Sequence, residues 1–310
     1  MDGKIAVIFS GQGAQYTGMG KELCERYSES NAIFEYASSV LGKDMKELCF
    51  NGSQRELSKT INTQVAMFTM EAASYAVLKK YGIKPDVVAG FSFGEYGAYY
   101  ASGIFDLMTS LYLVNQRAIA MNKVENEDLY GMGAISGDSI EKIEKICSYY
   151  DNAWIANYNS HSQVTITGSK SEVIKILEEA EKINYRATLL NLSGPFHSKY
   201  MYDAAQEFAE STKLIRKSEG NIPIILNVTG DYYKEGDVLE EIMVKQIYSP
   251  VLWSKTVEKM LDDGVTCFIE IGPGRVLSKF VANIKGERNV DILSLEDMES
   301  LSNVVDRIYR

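Results

Sequence analysis

The segment VVAGFSFGEYGAYYASG, residues 87–103, constrains this chain more than any other. Asp86-Val87-Val88-Ala89 is a short apolar run rich in β-branched residues and predicts a buried strand, while EYGAYYASG after it has a helix-compatible composition. Between them, Gly90-Phe91-Ser92-Phe93-Gly94 fits G-x-S-x-G. In that pattern the glycines permit a sharp strand-to-helix turn that pushes the serine oxygen out of the sheet. Ser92 is therefore a candidate nucleophile, with ordinary turn chemistry as the alternative. The geometry also sets the first helical N–H groups beside the serine, so the backbone N–H of Phe93 is a candidate oxyanion donor.

A serine hydroxyl is a poor nucleophile until a base takes its proton, and histidine is the usual base near neutral pH. The chain has two, His161 and His197. His161 falls in NYNSHSQVTI, a turn between two expected strands, and reads as a polar loop residue. His197 falls in LSGPFHSKY, after an expected strand and a Gly-Pro pair, where the chain returns from a small subdomain to the main core. Loops at such junctions are common ligand sites, so His197 is the preferred base.

The remaining pattern frames these residues. KIAVIFSGQG (4–13) predicts a buried strand ending in a glycine turn, residues 18–42 a helix, and 62–82 a long helix with Asn62 or Thr63 as N-cap and Gly82 as its stop. Residues 106–123 predict another helix, capped by Asp106. Residues 131–192 change character and read strand, helix, strand, strand, helix, strand, the order of a ferredoxin-like unit. Beyond them, 198–218 reads as helical, and 222–230 and 265–274 as strands, the latter ending in a glycine turn. The expected architecture is an α/β core (1–127 and 194–310) carrying an inserted α+β subdomain (128–193). A chain of 310 residues is long enough for both.

Composition narrows the function classes. A net charge of −10 argues against a nucleic-acid partner, and no run approaches the roughly 20 apolar residues of a membrane span. The start shows no signal-peptide pattern, so a cytoplasmic protein is expected. Cys24, Cys49, Cys147 and Cys267 are far apart, form no Cys-x-x-Cys pair and read as small buried hydrophobes, with no metal site. GAQYTGMGKE lacks the first glycine and final Ser or Thr of a P-loop, and neither GQGAQY nor GMGKEL completes G-x-G-x-x-G. The turn Gly272-Pro273-Gly274 before a helix offers a place for a phosphate to approach, with a structural turn as the preferred reading.

SGQGAQYTGMG (10–20), NTQ (62–64), PDVVAGFSFGEY (85–96), LVNQRAIAM (113–121), ANYNSHSQVTITG (156–168), GPFHS (194–198), QIYSPVLW (246–253) and IEIGPGRVL (269–277) occur in this order. Together they resemble the malonyl-CoA:acyl carrier protein transacylases of fatty-acid and polyketide synthesis. The resemblance implies a hydrolase-like α/β core with a ferredoxin-like subdomain. It implies Ser92 as the acylated nucleophile, His197 as the general base, and Gln246 as the residue whose backbone carbonyl orients the histidine. It also implies that the Gln12 N–H completes an oxyanion hole with Phe93, that Arg117 holds the free malonyl carboxylate, and that Asn157 and Asn159 stand near the cleft.

The implied reaction is ping-pong transfer of malonyl from malonyl-CoA to the phosphopantetheine thiol of an acyl carrier protein, with no tightly bound cofactor and no metal, in a monomer. A guanidinium can grip a carboxylate through two parallel hydrogen bonds, which would select dicarboxylic monothioesters. Phe91 stands where the family usually has histidine, and Phe93 where leucine is common, giving a more apolar pocket beside the nucleophile; His161-Ser162 replaces a common Pro-Gly. Fatty-acid synthesis is favoured over polyketide synthesis. The rivals are an acyl-thioester hydrolase on the same scaffold and a non-catalytic subunit that docks the carrier protein.

Overall fold

A computed structural model describes residues 3–192, 194–213 and 215–309. Along the chain, β1 (Lys4–Phe9) is followed by α1 (Lys21–Arg26), α2 (Ser28–Leu41), α3 (Gln54–Leu57) and α4 (Thr60–Lys80). Then come β2 (Val87–Gly90), α5 (Glu95–Ser102) and α6 (Leu107–Asn122). Next are β3 (Tyr130–Ser136), α7 (Ile140–Cys147), β4 (Ala153–Ser160), β5 (Gln163–Ser169), α8 (Lys170–Lys182) and β6 (Arg186–Leu189). The chain closes with α9 (Tyr202–Thr212), β7 (Ile224–Leu226), β8 (Asp231–Tyr232), α10 (Leu239–Tyr248), α11 (Trp253–Asp262), β9 (Val265–Ile271), α12 (Val276–Ile284), β10 (Asp291–Leu295) and α13 (Met298–Tyr309).

Two sheets organise these elements. The larger runs β10-β9-β1-β2-β7-β8, parallel except for β8, and β1 pairs with β2 so that Phe9 stands beside Gly90. Because side chains alternate along a strand, β1 sends Val7 and Phe9 to one face and Ala6 and Ile8 to the other. The first face packs against α4, α5 and α6 through residues such as Phe68, Val77, Tyr99 and Val114; the second packs against α11 and α12 through Trp253, Val257, Leu277 and Val281. Strands buried on both faces read as continuous apolar runs, which is why KIAVIF and VVAG were legible.

The smaller sheet has the order β4-β5-β3-β6 and is antiparallel throughout. Its strands arrive in the expected βαββαβ sequence, with α7 and α8 packed on one face over Ile135, Val164 and Ile166 through residues such as Ile143 and Val173. This is the ferredoxin-like arrangement, inserted between α6 and the segment bearing His197.

Several expected boundaries shift for local reasons. Residues 18–42 form two helices because Tyr27 adopts an extended conformation (φ −123°) between them. The long helix starts earlier than expected, with Lys59 in the N-cap position. Asn62 and Thr63 lie inside it, their side chains bonding the carbonyls of Glu56 (2.9 Å) and Leu57 (2.6 Å). The expected helix 198–218 is shorter, running from Tyr202 to Thr212, and the strand expected at 222–230 is only Ile224–Leu226. Asp106 caps α6 as expected, accepting from Thr109 N–H at 2.7 Å. The end of the subdomain at Ser193 and the helical assignment of Leu214 lie outside the described residues, as do Met1, Asp2 and Arg310.

Candidate active site

At the end of β2 the backbone turns sharply. Phe91 is extended, Ser92 has φ 56°, and Ser92–Gly94 form a single 3₁₀ turn that opens α5. A Cβ on Gly90 would lie 1.9 Å from Gly94 O, and one on Gly94 would lie 2.4 Å from Ser10 O, so only glycine fits at either position. A non-glycine residue at positive φ costs about 1–3 kcal/mol and persists only where its surroundings enforce it. Asn227 does so here: its Oδ1 accepts from Ser92 N–H at 2.7 Å and its Nδ2 donates to Gly90 O at 2.6 Å.

His197, buried and also at positive φ (58°), faces the serine. Ser92 Oγ lies 2.7 Å from His197 Nε2. On the far side of the ring, Nδ1 lies 3.0 Å from Gln246 O and 3.1 Å from Ser249 O. Two carbonyls can only accept, so Nδ1 carries the proton and the Nε2 lone pair points at the serine hydroxyl. Burial, and then the nearby Arg117 charge, lower the His197 pKa to about 4. His161 is elsewhere, half exposed and bonded to Glu258 at 2.5 Å.

Arg117 projects from α6 and is buried. Its Nη1 donates to Gln64 Oε1 at 2.8 Å, and its Nη2 donates to Gln246 Oε1 at 3.0 Å and to Ser92 Oγ at 3.3 Å. Nε has no partner among the described residues. Burial lowers the guanidinium pKa. Gln246 thus serves twice: its carbonyl faces the histidine, while its side chain links Arg117, Ser92 O (2.6 Å) and Glu95 Oε2 (2.9 Å). Glu95, buried at the start of α5, also accepts from Tyr99 Oη at 3.0 Å, and burial raises its pKa to about 7.

These groups open onto a cavity of about 240 Å³ between the two sheets. Gln12, Phe91, Asn157 and Asn159 line it, together with Met121, Met132 and Phe280. Neither Gln12 N–H nor Phe93 N–H has an acceptor among the described residues, whereas the Gln12 side chain is tied to Thr60 Oγ1 at 2.9 Å. Phe91 packs edge-on against Trp253 (5.5 Å between centroids) and near Phe280 (6.2 Å). Asn159 Nδ2 donates to Thr165 Oγ1 (3.0 Å) and Gln163 Oε1 (3.2 Å), and its Oδ1 is unpartnered among the described residues. The structure therefore brings all nine candidate residues to one place.

Sequence reasoning did not assign roles to Gln64, Asn227, Ser249 and Glu95. Gln64, Glu95 and Ser249 stand within segments that carry the family resemblance, but nothing local marked Asn227. The four cysteines are buried and free. The Gly272-Pro273-Gly274 turn is structural: Gly274 N–H donates to Glu296 Oε2 at 2.9 Å, which leaves that donor occupied by a carboxylate.

A serine on a strand-to-helix turn, 2.7 Å from a histidine oriented by carbonyls and beside a buried arginine, is an arrangement suited to acyl transfer on an α/β core. Residues 7–299 match the family model described as "Acyl transferase domain", and the chain belongs to that family. It is 34% identical to the malonyl CoA-acyl carrier protein transacylase of Bacillus subtilis (strain 168), over 98% of this chain and 97% of that one. It is 31% identical to the protein of the same name from Staphylococcus aureus (strain MSSA476), over 96% and 97%. Among solved structures, the malonyl CoA-acyl carrier protein transacylase of Clostridium perfringens superposes with a TM-score of 0.94 at 37% identity, covering 98% of this chain and 97% of that one. A malonyl-transacylase in complex with a type II PKS acyl-carrier protein superposes at 0.93 with 31% identity, covering 98% and 99%.

Proposed function

We propose that this chain transfers a malonyl group from malonyl-CoA to the phosphopantetheine thiol of an acyl carrier protein through a malonyl-Ser92 ester. The observation that carries the reading is the position of Ser92 Oγ, 2.7 Å from His197 Nε2 and 3.3 Å from Arg117 Nη2 at the floor of one cavity. A base and a carboxylate anchor on the same oxygen suit an acyl group that carries its own negative charge.

In the first half-reaction Ser92 Oγ attacks the thioester carbonyl while its proton passes to His197 Nε2. The N–H groups of Gln12 and Phe93 receive the developing oxyanion. The C–S bond breaks and CoA leaves with the proton from His197. In the second, the carrier thiol gives its proton to His197, attacks the ester carbonyl, and Ser92 recovers the proton as the C–O bond breaks. Each half exchanges a thioester and an ester, so no tightly bound cofactor is called for. The carboxylate displaces Ser92 Oγ as the acceptor of Arg117 Nη2 and neutralises the charge that helps depress the His197 pKa. Substrate binding therefore makes the base stronger when it is needed.

Asn157 and Asn159, from the subdomain taken as residues 128–193, face the same cavity from the side opposite the core (1–127 and 194–310). Phe91 and Phe280 give the acyl pocket an apolar wall. All these groups come from one chain, so a monomer suffices, and a cytoplasmic enzyme is the simplest setting. No helix among the described residues is long and apolar enough to cross a membrane.

The test is intact-protein mass spectrometry after mixing the enzyme with malonyl-CoA, methylmalonyl-CoA and acetyl-CoA in competition. One malonyl adduct, absent in Ser92→Ala and discharged by holo-carrier protein, is expected. Rapid release of free malonate without carrier protein would make the chain a hydrolase instead, and no adduct at all would leave a docking subunit.

A further inference from the structure

We propose that Glu71 is a positioning residue for the acyl transfer, acting through Ser10 on the backbone N–H groups of Gln12 and Phe93. The inference rests on the reading above, in which those two groups receive the oxyanion.

Glu71 lies midway along α4 and is fully buried. Its Oε1 accepts from Ser10 Oγ at 3.0 Å, and its Oε2 has no partner among the described residues. An apolar side chain there would avoid an unsatisfied buried oxygen, so the carboxyl is costly unless it has a task. Burial pushes its pKa well above the ordinary carboxylate range, and the Glu270 charge adds to this. Glu270 is the better-held anion of the two, because its oxygens accept the N–H groups of Leu277 (2.9 Å) and Ser278 (2.7 Å) at the start of α12. Glu71 therefore holds its proton and works as a neutral hydrogen-bonding group.

Ser10 is the joint on which the two halves of the oxyanion site meet. It follows β1 directly, and its N–H bonds Ile271 O at 3.1 Å. A Cβ on Gly94 would lie 2.4 Å from Ser10 O, and a Cβ on Gly272 would lie 1.8 Å from Ser10 Oγ and 3.1 Å from Glu71 Oε1. The elbow turn and the 272–274 turn thus close on Ser10 with no slack. Gly11 and Gln12 come next in the chain, and Gly94 follows Phe93, so a shift of Ser10 moves both N–H groups. The same helix also carries Gln64, seven residues earlier and on the same face as Glu71, bonded to Arg117 at 2.8 Å. One face of α4 therefore sets the oxyanion turn and the carboxylate-holding arginine in register.

The test compares Ser10→Ala, Glu71→Leu and Glu71→Gln with the wild-type chain by rapid-quench formation of malonyl-Ser92 over a range of malonyl-CoA concentrations. Losing one oxyanion donor outright costs about 100- to 1,000-fold, so a displaced pair is expected to slow acylation by about 10-fold in Ser10→Ala and Glu71→Leu. KM should stay within about twofold of wild type. Glu71→Gln still offers Ser10 an oxygen and should recover most of the rate, which a merely structural carboxyl would not explain. Acylation at the wild-type rate in both Ser10→Ala and Glu71→Leu would overturn the proposal. So would a defect confined to KM, or a Glu71→Gln variant as slow as Glu71→Leu. If Glu71→Leu does not fold, Ser10→Ala decides alone. A wild-type chain that forms no adduct overturns the functional reading and this inference together, whereas active wild type with unaffected variants sinks the inference only.

Discussion

His197 meets two opposing demands. In the proposed reaction its Nε2 accepts the Ser92 proton, yet burial and the Arg117 charge hold its pKa at about 4. The imidazole is consequently neutral, and available as a base, at every pH above that value. It is lost as pH falls through about 4, instead of through the ordinary value near 6.5. Rates of Ser92 acylation from acetyl-CoA, whose acyl group has no titrating carboxyl, should show an acid limb centred near 4 in the kcat/KM profile. A limb near 6.5 would mean that the base is solvated. Arg117→Ala removes the second cause of the depression, so its limb should move upward. The same substitution removes the proposed carboxylate anchor. Two charge-assisted hydrogen bonds at about 1.5–3 kcal/mol each make the expected loss in kcat/KM for malonyl-CoA about 100-fold or more. Acetyl-CoA should be far less affected, so the malonyl-to-acetyl ratio is the diagnostic, and an unchanged ratio would remove Arg117 from the acyl site.

At the scale of elements, the elbow between β2 and α5 depends on a residue from beyond β7. Asn227 satisfies both Ser92 N–H and Gly90 O, and Asn227→Ala leaves two backbone groups unpaired. Each unpaired group costs about 1–3 kcal/mol, so urea denaturation should show a loss of roughly 2–6 kcal/mol. The rate of Ser92 acylation should fall as well; a stable variant with full activity would show that the glycines alone hold the turn. Asn227 also marks what the sequence could not tell. The elbow, the first strand and the βαββαβ order were legible because periodicity and glycine placement are local signals. Arg117 and Gln246 were found only through a family resemblance, since nothing near either of them marks an arginine or a glutamine as part of a site. Asn227 gave no signal, and Ser249 stood in a family segment without a role of its own, because their partners lie far off in sequence: Ser92 Nα for the first and His197 Nδ1 for the second. The break at Tyr27 was missed for a different reason, since no Gly or Pro announces it. Asn62 and Thr63 misled as capping residues because their side chains reach back to carbonyls of the preceding turn from inside α4.

For the whole molecule, burying so many ionisable groups around one site links folding to pH. Glu95 has a folded pKa of about 7, raised by burial above its ordinary value. The folded state therefore binds its proton more tightly than the unfolded chain does. Its contribution to stability is complete below the unfolded pKa, near 4.5, and is lost as pH rises through about 7. At 1.36 kcal/mol per pKa unit this amounts to about 3 kcal/mol. His197 acts in the opposite sense: its lowered pKa means that stability rises with pH between about 4 and 6.5. The two nearly cancel where their windows overlap. Glu71 and Glu270 are also raised by burial and act in the same direction as Glu95. The exposed carboxylates whose pKa values are lowered by lysine partners, such as Glu29 and Asp231, are screened by solvent and oppose this only weakly. Denaturation of wild type and Glu95→Gln at pH 5 and pH 7.5 separates the Glu95 share. Glutamine cannot reproduce every hydrogen bond of the carboxyl, which shifts the variant by a pH-independent amount, so the comparison is between slopes. The variant should gain on wild type between the two pH values by about 2 kcal/mol, and parallel pH dependences would show that Glu95 is ionised in the folded enzyme throughout.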